Sequence, residues 1–217
     1  YFVGQTRFGE QRRLDYVDKK SNKKRYHYQL PDVSAVEFED QELELHPYVL
    51  GVWLGDGSKG KGCITHDKND QGMVERIEAC GYKQSARCVH KQTGVITTYF
   101  SGPRPKVIGK LLKQLREIGV EHDKFIPEKY LRNSFENRVQ LLSGLVDSDG
   151  HVCKKTSRVM FSNTSFPLIQ NVMDLCTGLG LRPYMQRVEP CTSSSGIVGK
   201  KVVWTVGFQP TFELPTV

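Results

Sequence analysis

The pattern of apolar and polar positions predicts the same order of helices and strands at two places along the chain. The first copy predicts a helix, a strand, a helix and two strands, at residues 48–57, 62–66, 71–81, 85–91 and 95–100. The second copy predicts the same order, at residues 138–150, 158–163, 166–180, 183–189 and 201–208. The recurrence indicates an internal duplication of one supersecondary unit.

Segments outside the two copies add a helix and a strand. An amphipathic helix follows the first copy, because Leu111, Leu112 and Leu115 share one face with neighbouring apolar residues. A basic segment precedes the first copy, with the run "KKSNKKR" at residues 19–25, and residues 25–30 alternate as a strand does. The boundary between this segment and the first copy is expected near Pro47.

Composition favours a folded protein that binds a polyanionic partner. Hydrophobic residues make up 38% of the 217 residues, and the formal net charge is +7. Such a positive balance favours binding to a polyanion, although the excess is modest. The six cysteines form no C-x-x-C pair, so we expect reduced thiols and no zinc module. With no long apolar run and no signal peptide at its start, the chain is expected to be intracellular.

The two apolar helices end in the same residues. Aligned on their final glycines, residues 49–57 lie over 142–150, so that Asp56 matches Asp149 at a spacing of 149 minus 56, or 93, residues. Small residues recur one helical turn apart on each helix: Gly51 and Gly55 on the first, Gly144 and Ser148 on the second. Two such helices can pack backbone to backbone and bring both aspartates to one end of the contact.

Two carboxylates at helix C-termini repel each other and the negative ends of the helix dipoles. A divalent cation relieves this conflict, and Mg²⁺ prefers hard oxygen ligands. Asp56, Asp149 and the backbone carbonyls of Gly55 and Ser148 are therefore candidate metal ligands. A single Asp-Gly pair is more often an ordinary helix end, and the matched repeat is what favours a catalytic site.

The stretches "LSGLVDSDG" at 142–150 and "LGVWLGDG" at 50–57 resemble the paired motifs of the LAGLIDADG homing endonucleases. The stretch at 50–57 has a form that is similar to that of intein-encoded members, such as the endonuclease domain of the vacuolar-ATPase intein. The resemblance implies an α+β fold of two pseudo-symmetric αββαββα-like halves with antiparallel DNA-binding sheets. It further implies a basic N-terminal arm at residues 1–45 and halves at 46–120 and 121–217.

The same resemblance implies roles for individual residues. Asp56 and Asp149 match the metal-binding catalytic acids of the family, with Mg²⁺ or another divalent ion such as Mn²⁺ as cofactor. Asp147 occupies the other acidic position of the motif, where the first copy has Leu54, so it is not expected to be the essential acid. Lys106 is a candidate for the basic residue that assists catalysis.

Double-stranded DNA is the expected partner, with base edges contacted from the sheets and phosphates from residues just past the motifs. The candidate DNA-binding residues are Lys59, Lys61, Arg87, Lys91, Lys154, Lys155, Arg158 and Arg187. Single basic residues on a surface are often only solvated charges. With two copies in one chain, a monomer is expected.

Three functions remain open from the sequence. The first is a site-specific endonuclease that makes a staggered double-strand break at DNA, in the nucleus of a eukaryote or otherwise in the cytoplasm. The second is a cleavage-inactive nucleic-acid-binding protein or RNA maturase on the same scaffold. The third is self-splicing: the sequence lacks the terminal residues that a complete intein needs, so it is expected to be at most the nuclease part of an intein.

Overall fold

The computed structural model describes residues 15–26, 34–100, 108–153, 155–190 and 198–217. The chain divides into two compact units, residues 1–33 and 34–217. In the first unit, β1 (Asp15–Asp18) and β2 (Lys23–Tyr26) form an antiparallel hairpin. The Asp18 carboxylate closes its turn by accepting hydrogen bonds from the Lys20 amide and the Ser21 hydroxyl. The expected strand at 25–30 begins earlier, and residues 27–30 lie outside the described part.

The first copy of the repeat consists of α1 (Pro47–Asp56), β3 (Cys63–His66), α2 (Gln71–Ala79), β4 (Ala86–Val89) and β5 (Ile96–Tyr99). Two helices connect it to the second copy: α3 (Lys110–Glu117) and α4 (Glu128–Leu131). The second copy consists of α5 (Phe135–Asp149), β6 (Gly150–Cys153), β7 (Arg158–Asn163), α6 (Phe166–Gly178), β8 (Tyr184–Val188) and β9 (Val203–Phe208). The helices and strands expected within the two copies are thus present, and the sequence missed α4 and β6.

The two copies have the same sheet topology. The second sheet has the order β6-β7-β9-β8 and the first the order β3-β5-β4, with every described strand pair antiparallel. In the second copy β6 pairs with β7, and Gly150 lies opposite Phe161. At the equivalent place in the first copy, a single bridge joins Gly57 and Ile64. The internal repeat and the α+β class with antiparallel sheets are therefore confirmed.

One apolar core joins the two copies. Helix α1 is buried from Pro47 to Leu54, and α5 is buried over most of its second half. A helix that is apolar all round is normally found inside a protein, and here the two helices bury each other beneath the sheets and α2, α3 and α6. No helix among the described residues is both long and apolar enough to cross a membrane.

Glycines allow the backbones of α1 and α5 to touch. A Cβ atom on Gly51 would lie 2.3 Å from the Leu141 carbonyl oxygen, and one on Gly144 would lie 2.1 Å from the Tyr48 carbonyl oxygen. Real Cβ atoms do not approach backbone this closely, so neither position accepts a side chain without moving a helix. A Cβ on Gly55 would meet the Ser148 hydroxyl oxygen at 2.1 Å. The tight packing expected from the small residues is confirmed.

Gly144→Ala is predicted to destabilise the fold by roughly 1–3 kcal/mol, because its methyl group overpacks the contact between α1 and α5. The matched control is Gly72→Ala in α2, whose Cβ would make only ordinary contacts, the nearest at 3.4 Å. The control should be neutral, or more stable by about 0.5–1 kcal/mol through helix propensity. Urea unfolding of both variants measures the difference, and equal stabilities would contradict backbone contact at Gly144.

Candidate active site

Asp56 and Asp149 are the last residues of α1 and α5, and both helices end in the same way. The Gly57 amide donates to the Trp53 carbonyl, and the backbone then turns to an extended conformation. The Gly150 amide donates to the Val146 carbonyl and the backbone turns likewise. A Cβ atom would lie 2.3 Å from that carbonyl oxygen at Gly57 and 2.2 Å at Gly150. The glycine after each aspartate therefore leaves room for a sharp exit.

The two carboxylates lie close enough to influence each other. Burial, followed by the charge of Asp149, raises the pKa of Asp56 from 3.8 to about 7. Burial also raises the pKa of Asp149, but the nearby Lys124 ammonium and a hydrogen bond from Asn163 act against that rise. The Asn163 side-chain amide donates to Asp149 Oδ2 over 3.2 Å. The site thus holds two partly buried carboxylates whose negative charges are incompletely balanced.

Lys124 is a basic residue of this site, and the sequence did not identify it. Its Nζ donates to the Gly55 carbonyl oxygen over 2.8 Å and lies 5.4 Å from the centre of the Trp53 ring. Burial lowers the pKa of Lys124, while the charges of Asp149 and Asp56 act to raise it. It precedes α4 in a connecting segment, where no periodicity marks it. The expected helper, Lys106, lies outside the described residues.

The other two candidate metal ligands are backbone carbonyls. The Gly55 carbonyl oxygen accepts a hydrogen bond from Lys124. The Ser148 hydroxyl donates to the carbonyls of Gly144 and Leu145, both at 3.0 Å, so its side chain faces its own helix, and a metal contact through the Ser148 carbonyl stays a prediction. The described residues contain no group of three or more His, Cys, Asp or Glu placed to hold a metal ion. A cation here would take its two charged ligands from Asp56 and Asp149.

Asp147 has a different environment from Asp149. Its side chain is only 2% exposed and accepts hydrogen bonds from the Tyr48 hydroxyl at 2.8 Å and the Val217 amide at 3.1 Å. Arg76 pairs with it at 3.5 Å and stacks 3.9 Å from the centre of the Tyr48 ring. Asp147 therefore anchors α2 and the C-terminal segment to α5, as a structural acid does.

The candidate DNA-binding residues lie on or near exposed parts of the two sheets. Those on strands are Arg87 on β4, Arg158 on β7 and Arg187 on β8. Lys59 pairs with Asp123 at 3.8 Å. Arg187 pairs with Glu189, and Arg158 lies 5.8 Å from the centre of the Tyr184 ring. Lys61, Lys91 and Lys155 are exposed, and Lys154 lies outside the described residues.

The donor set suits a hard divalent cation. Two partly buried carboxylates share one end of a helix pair, and among the described residues Lys124 and Asn163 offset their mutual repulsion only in part. Oxygen anions held in this way are the ligands that Mg²⁺ and Mn²⁺ prefer. The remaining coordination positions would be left for water and for the substrate.

Two curated proteins are similar in sequence to this chain. The chain is 31% identical over 189 residues to the replicative DNA helicase DnaB of Mycobacterium intracellulare, covering 87% of this chain and 27% of that protein. It is 24% identical over 174 residues to an iron–sulfur cluster assembly SufBD family protein of Mycobacterium leprae (strain TN), covering 76% and 20%. The chain thus spans about a quarter or less of the curated relatives it matches.

The chain is also similar to a solved structure and, in part, to a family model. The structure of the homing endonuclease I-DmoI in complex with DNA and Ca is similar with a TM-score of 0.48 and 16% identity, covering 76% of this chain and 83% of that one. Residues 136–206 match the model of the LAGLIDADG-like domain. This match includes α5, and α1 shares with α5 the close packing at a glycine and the terminal Asp-Gly pair. The second copy therefore carries a LAGLIDADG-like domain.

Proposed function

We propose that this chain is a site-specific DNA endonuclease that hydrolyses one phosphodiester in each strand with the help of a divalent cation. One observation carries the proposal: two helices in backbone contact deliver Asp56 and Asp149 to the same place, beside Lys124. A protein that only binds DNA has no use for a buried pair of carboxylates, because they repel phosphate.

Asp56 and Asp149 would hold the cation, most simply Mg²⁺ or Mn²⁺. When bound, such an ion supplies Lewis acidity to the phosphoryl group. Asn163 keeps the Asp149 carboxylate oriented through its side-chain amide. Lys124 provides a positive charge beside both carboxylates, suited to stabilise charge that develops on phosphate oxygens. Its hydrogen bond to Gly55 fixes that charge before substrate arrives.

The two sheets would hold the DNA on either side of the catalytic pair. Arg87 on β4, Arg158 on β7 and Arg187 on β8 are long polar side chains on exposed strands, which are suited to contact base edges or phosphates. Since each copy supplies one acid, we propose a monomer that recognises a long, non-palindromic site and leaves a staggered break. Binding of this kind weakens steeply with salt.

The curated relatives suggest that this chain is an inserted segment of a longer protein. A DNA helicase and an iron–sulfur assembly protein share no activity, yet each resembles this chain over part of its length. A unit that occurs in hosts with unrelated names is most simply one that moves between genes. We propose that the chain is the endonuclease portion of an intein, which agrees with the form of its first motif.

Asp56→Asn and Asp149→Asn are each predicted to abolish double-strand cleavage while leaving DNA affinity within a few-fold of the unchanged protein. Each change removes one cation ligand and no groove contact. The unchanged protein is first incubated with a randomised DNA library and Mg²⁺, and the cleaved molecules are sequenced to recover a target site. Cleavage and binding by all variants are then measured on that site. Asp174→Asn, an exposed change on α6, is the control and should cleave normally. Binding without cleavage by the unchanged protein would favour the inactive, maturase-like alternative.

Lys124→Met is predicted to slow cleavage on the order of a hundredfold or more, because it removes a positive charge aimed at the site. It also removes the charge that opposes the rise in the pKa of Asp56 and of Asp149. Since a cation binds the ionised carboxylate, the acid limb of the cleavage pH profile should move to higher pH in the variant. A slower enzyme with an unshifted profile would limit Lys124 to a structural role.

Asp56→Asn is predicted to raise the melting temperature measured in EDTA, and to do so more at high pH. The pKa of Asp56 is about 7 in the folded protein against 3.8 ordinarily, so the folded state is penalised as pH rises through that window. The difference between variant and unchanged protein should grow from pH 3.8 to about 7 and then level off. Asp174→Asn serves again as control. A difference independent of pH would contradict the buried, raised acid.

Added Mg²⁺ gives the complementary measurement. At pH 8 it should raise the melting temperature of the unchanged protein, because a ligand that binds only the folded state stabilises it. Asp56→Asn lacks one ligand and should respond much less. Equal responses of the two proteins would mean that the cation binds elsewhere.

A further inference from the structure

A cavity of about 600 Å³ lies next to the catalytic pair and is lined from both copies of the repeat. Lys59, three residues after Asp56, comes from the first copy, and Lys201, just before β9, comes from the second. Lys124 and Asp123 line the cavity from the connecting segment. The polar residues Asn163, Thr164 and Ser165 also line it.

The charges lining this cavity favour an anion. Three lysines face one carboxylate, that of Asp123, whose side chain is 93% exposed. Its ion pair with Lys59 is long, at 3.8 Å, and the Lys59 side chain is 61% exposed, so water screens most of the attraction. Lys59 can leave such a weak partner for a stronger anion. Within the described residues, Lys201 has no ion-pair partner.

The cavity is also coupled to the catalytic acids. Lys124, on one wall, interacts with both Asp56 and Asp149. Asn163, which also lines the cavity, donates to Asp149 and accepts a hydrogen bond from the Ser165 amide at 2.9 Å. An anion bound in the cavity would therefore rest against the residues that orient Asp149.

We propose that this cavity holds one backbone phosphate of the DNA, gripped jointly by Lys59 of the first copy and Lys201 of the second. The inference rests on the proposed endonuclease function and adds to it a fixed anchoring point for one strand. A phosphodiester carries the single negative charge and the acceptor oxygens that two ammonium groups and a hydroxyl-lined wall can satisfy. Anchoring from both copies would fix how the strand enters the site.

The test measures DNA affinity against salt in EDTA, so that binding is read without cleavage. The variants are Lys59→Met, Lys201→Met and the double change, with Lys113→Met as control. Lys113 lies on α3, pairs with Glu117 and is 71% exposed, so it matches the change in charge away from the cavity. The slope of log affinity against log salt reports the number of phosphates neutralised.

If both lysines hold one phosphate, the double variant lowers the slope by about one, and the two single changes are not additive. The control keeps the slope of the unchanged protein, and Lys201→Arg also keeps it because the charge remains. A loss of about two in the double variant would mean separate phosphates and would overturn the joint grip. An unchanged slope would show that DNA does not reach the cavity. Failure of the unchanged protein and control to bind DNA would instead overturn the proposed function.

A second measurement locates the phosphate. On a recovered target site, each phosphate is replaced in turn by a neutral methylphosphonate. One position should weaken binding by the unchanged protein and have no further effect in the Lys59→Met, Lys201→Met double variant. If every position retains its effect in the double variant, the cavity holds no phosphate.

Discussion

The backbone contact between α1 and α5 is the constraint on which the rest of the structure depends. Gly51 and Gly144 lie at this contact, where neither a methyl group nor a larger side chain fits. Two helices at ordinary separation would place their C-terminal carboxylates too far apart to share an ion. At backbone contact, burial and then the charge of Asp149 raise the pKa of Asp56. The contact therefore sets both the core packing and the electrostatics of the site.

This arrangement is costly to the folded protein. Burying two like charges at the negative ends of two helices opposes folding. Lys124 offsets part of that cost, and burial lowers the pKa of Lys124 in turn. Residual strain of this kind is typical of functional sites, where stability is given up for a preorganised charge distribution. The large apolar core around both helices is what tolerates it.

Much of the fold was predictable because periodicity and helix ends depend on residues that are close together in the sequence. The apolar repeat gave the order of helices and strands, and the glycine spacing gave the helix contact. Lys124 was missed because its role arises from a contact with Gly55, far away in the sequence. The fully buried Arg138 was missed for the same reason. It donates to the carbonyls of Gly178 and Val36 and so fixes the segment before α1 against the second copy. Long-range hydrogen bonds leave no periodic pattern.

The two copies share a topology but present unequal acids. Asn163, at the end of β7, donates to Asp149 and opposes the rise in its pKa. By the register of Ile64 with Phe161, its counterpart in the first copy is His66 at the end of β3. His66 is buried and bonded to Thr98 and the Asp67 carbonyl, so it is engaged away from Asp56.

Asp149 therefore has a dedicated hydrogen-bond donor, whereas the pKa of Asp56 rises to about 7. Duplication supplied two equivalent helix ends, and the residues at the ends of β3 and β7 made them chemically different. Burial raises the pKa of both acids, and the neighbouring residues oppose that rise unequally: Lys124 acts on both acids, whereas Asn163 acts on Asp149. The two copies therefore contribute unequally to the charge of the pair.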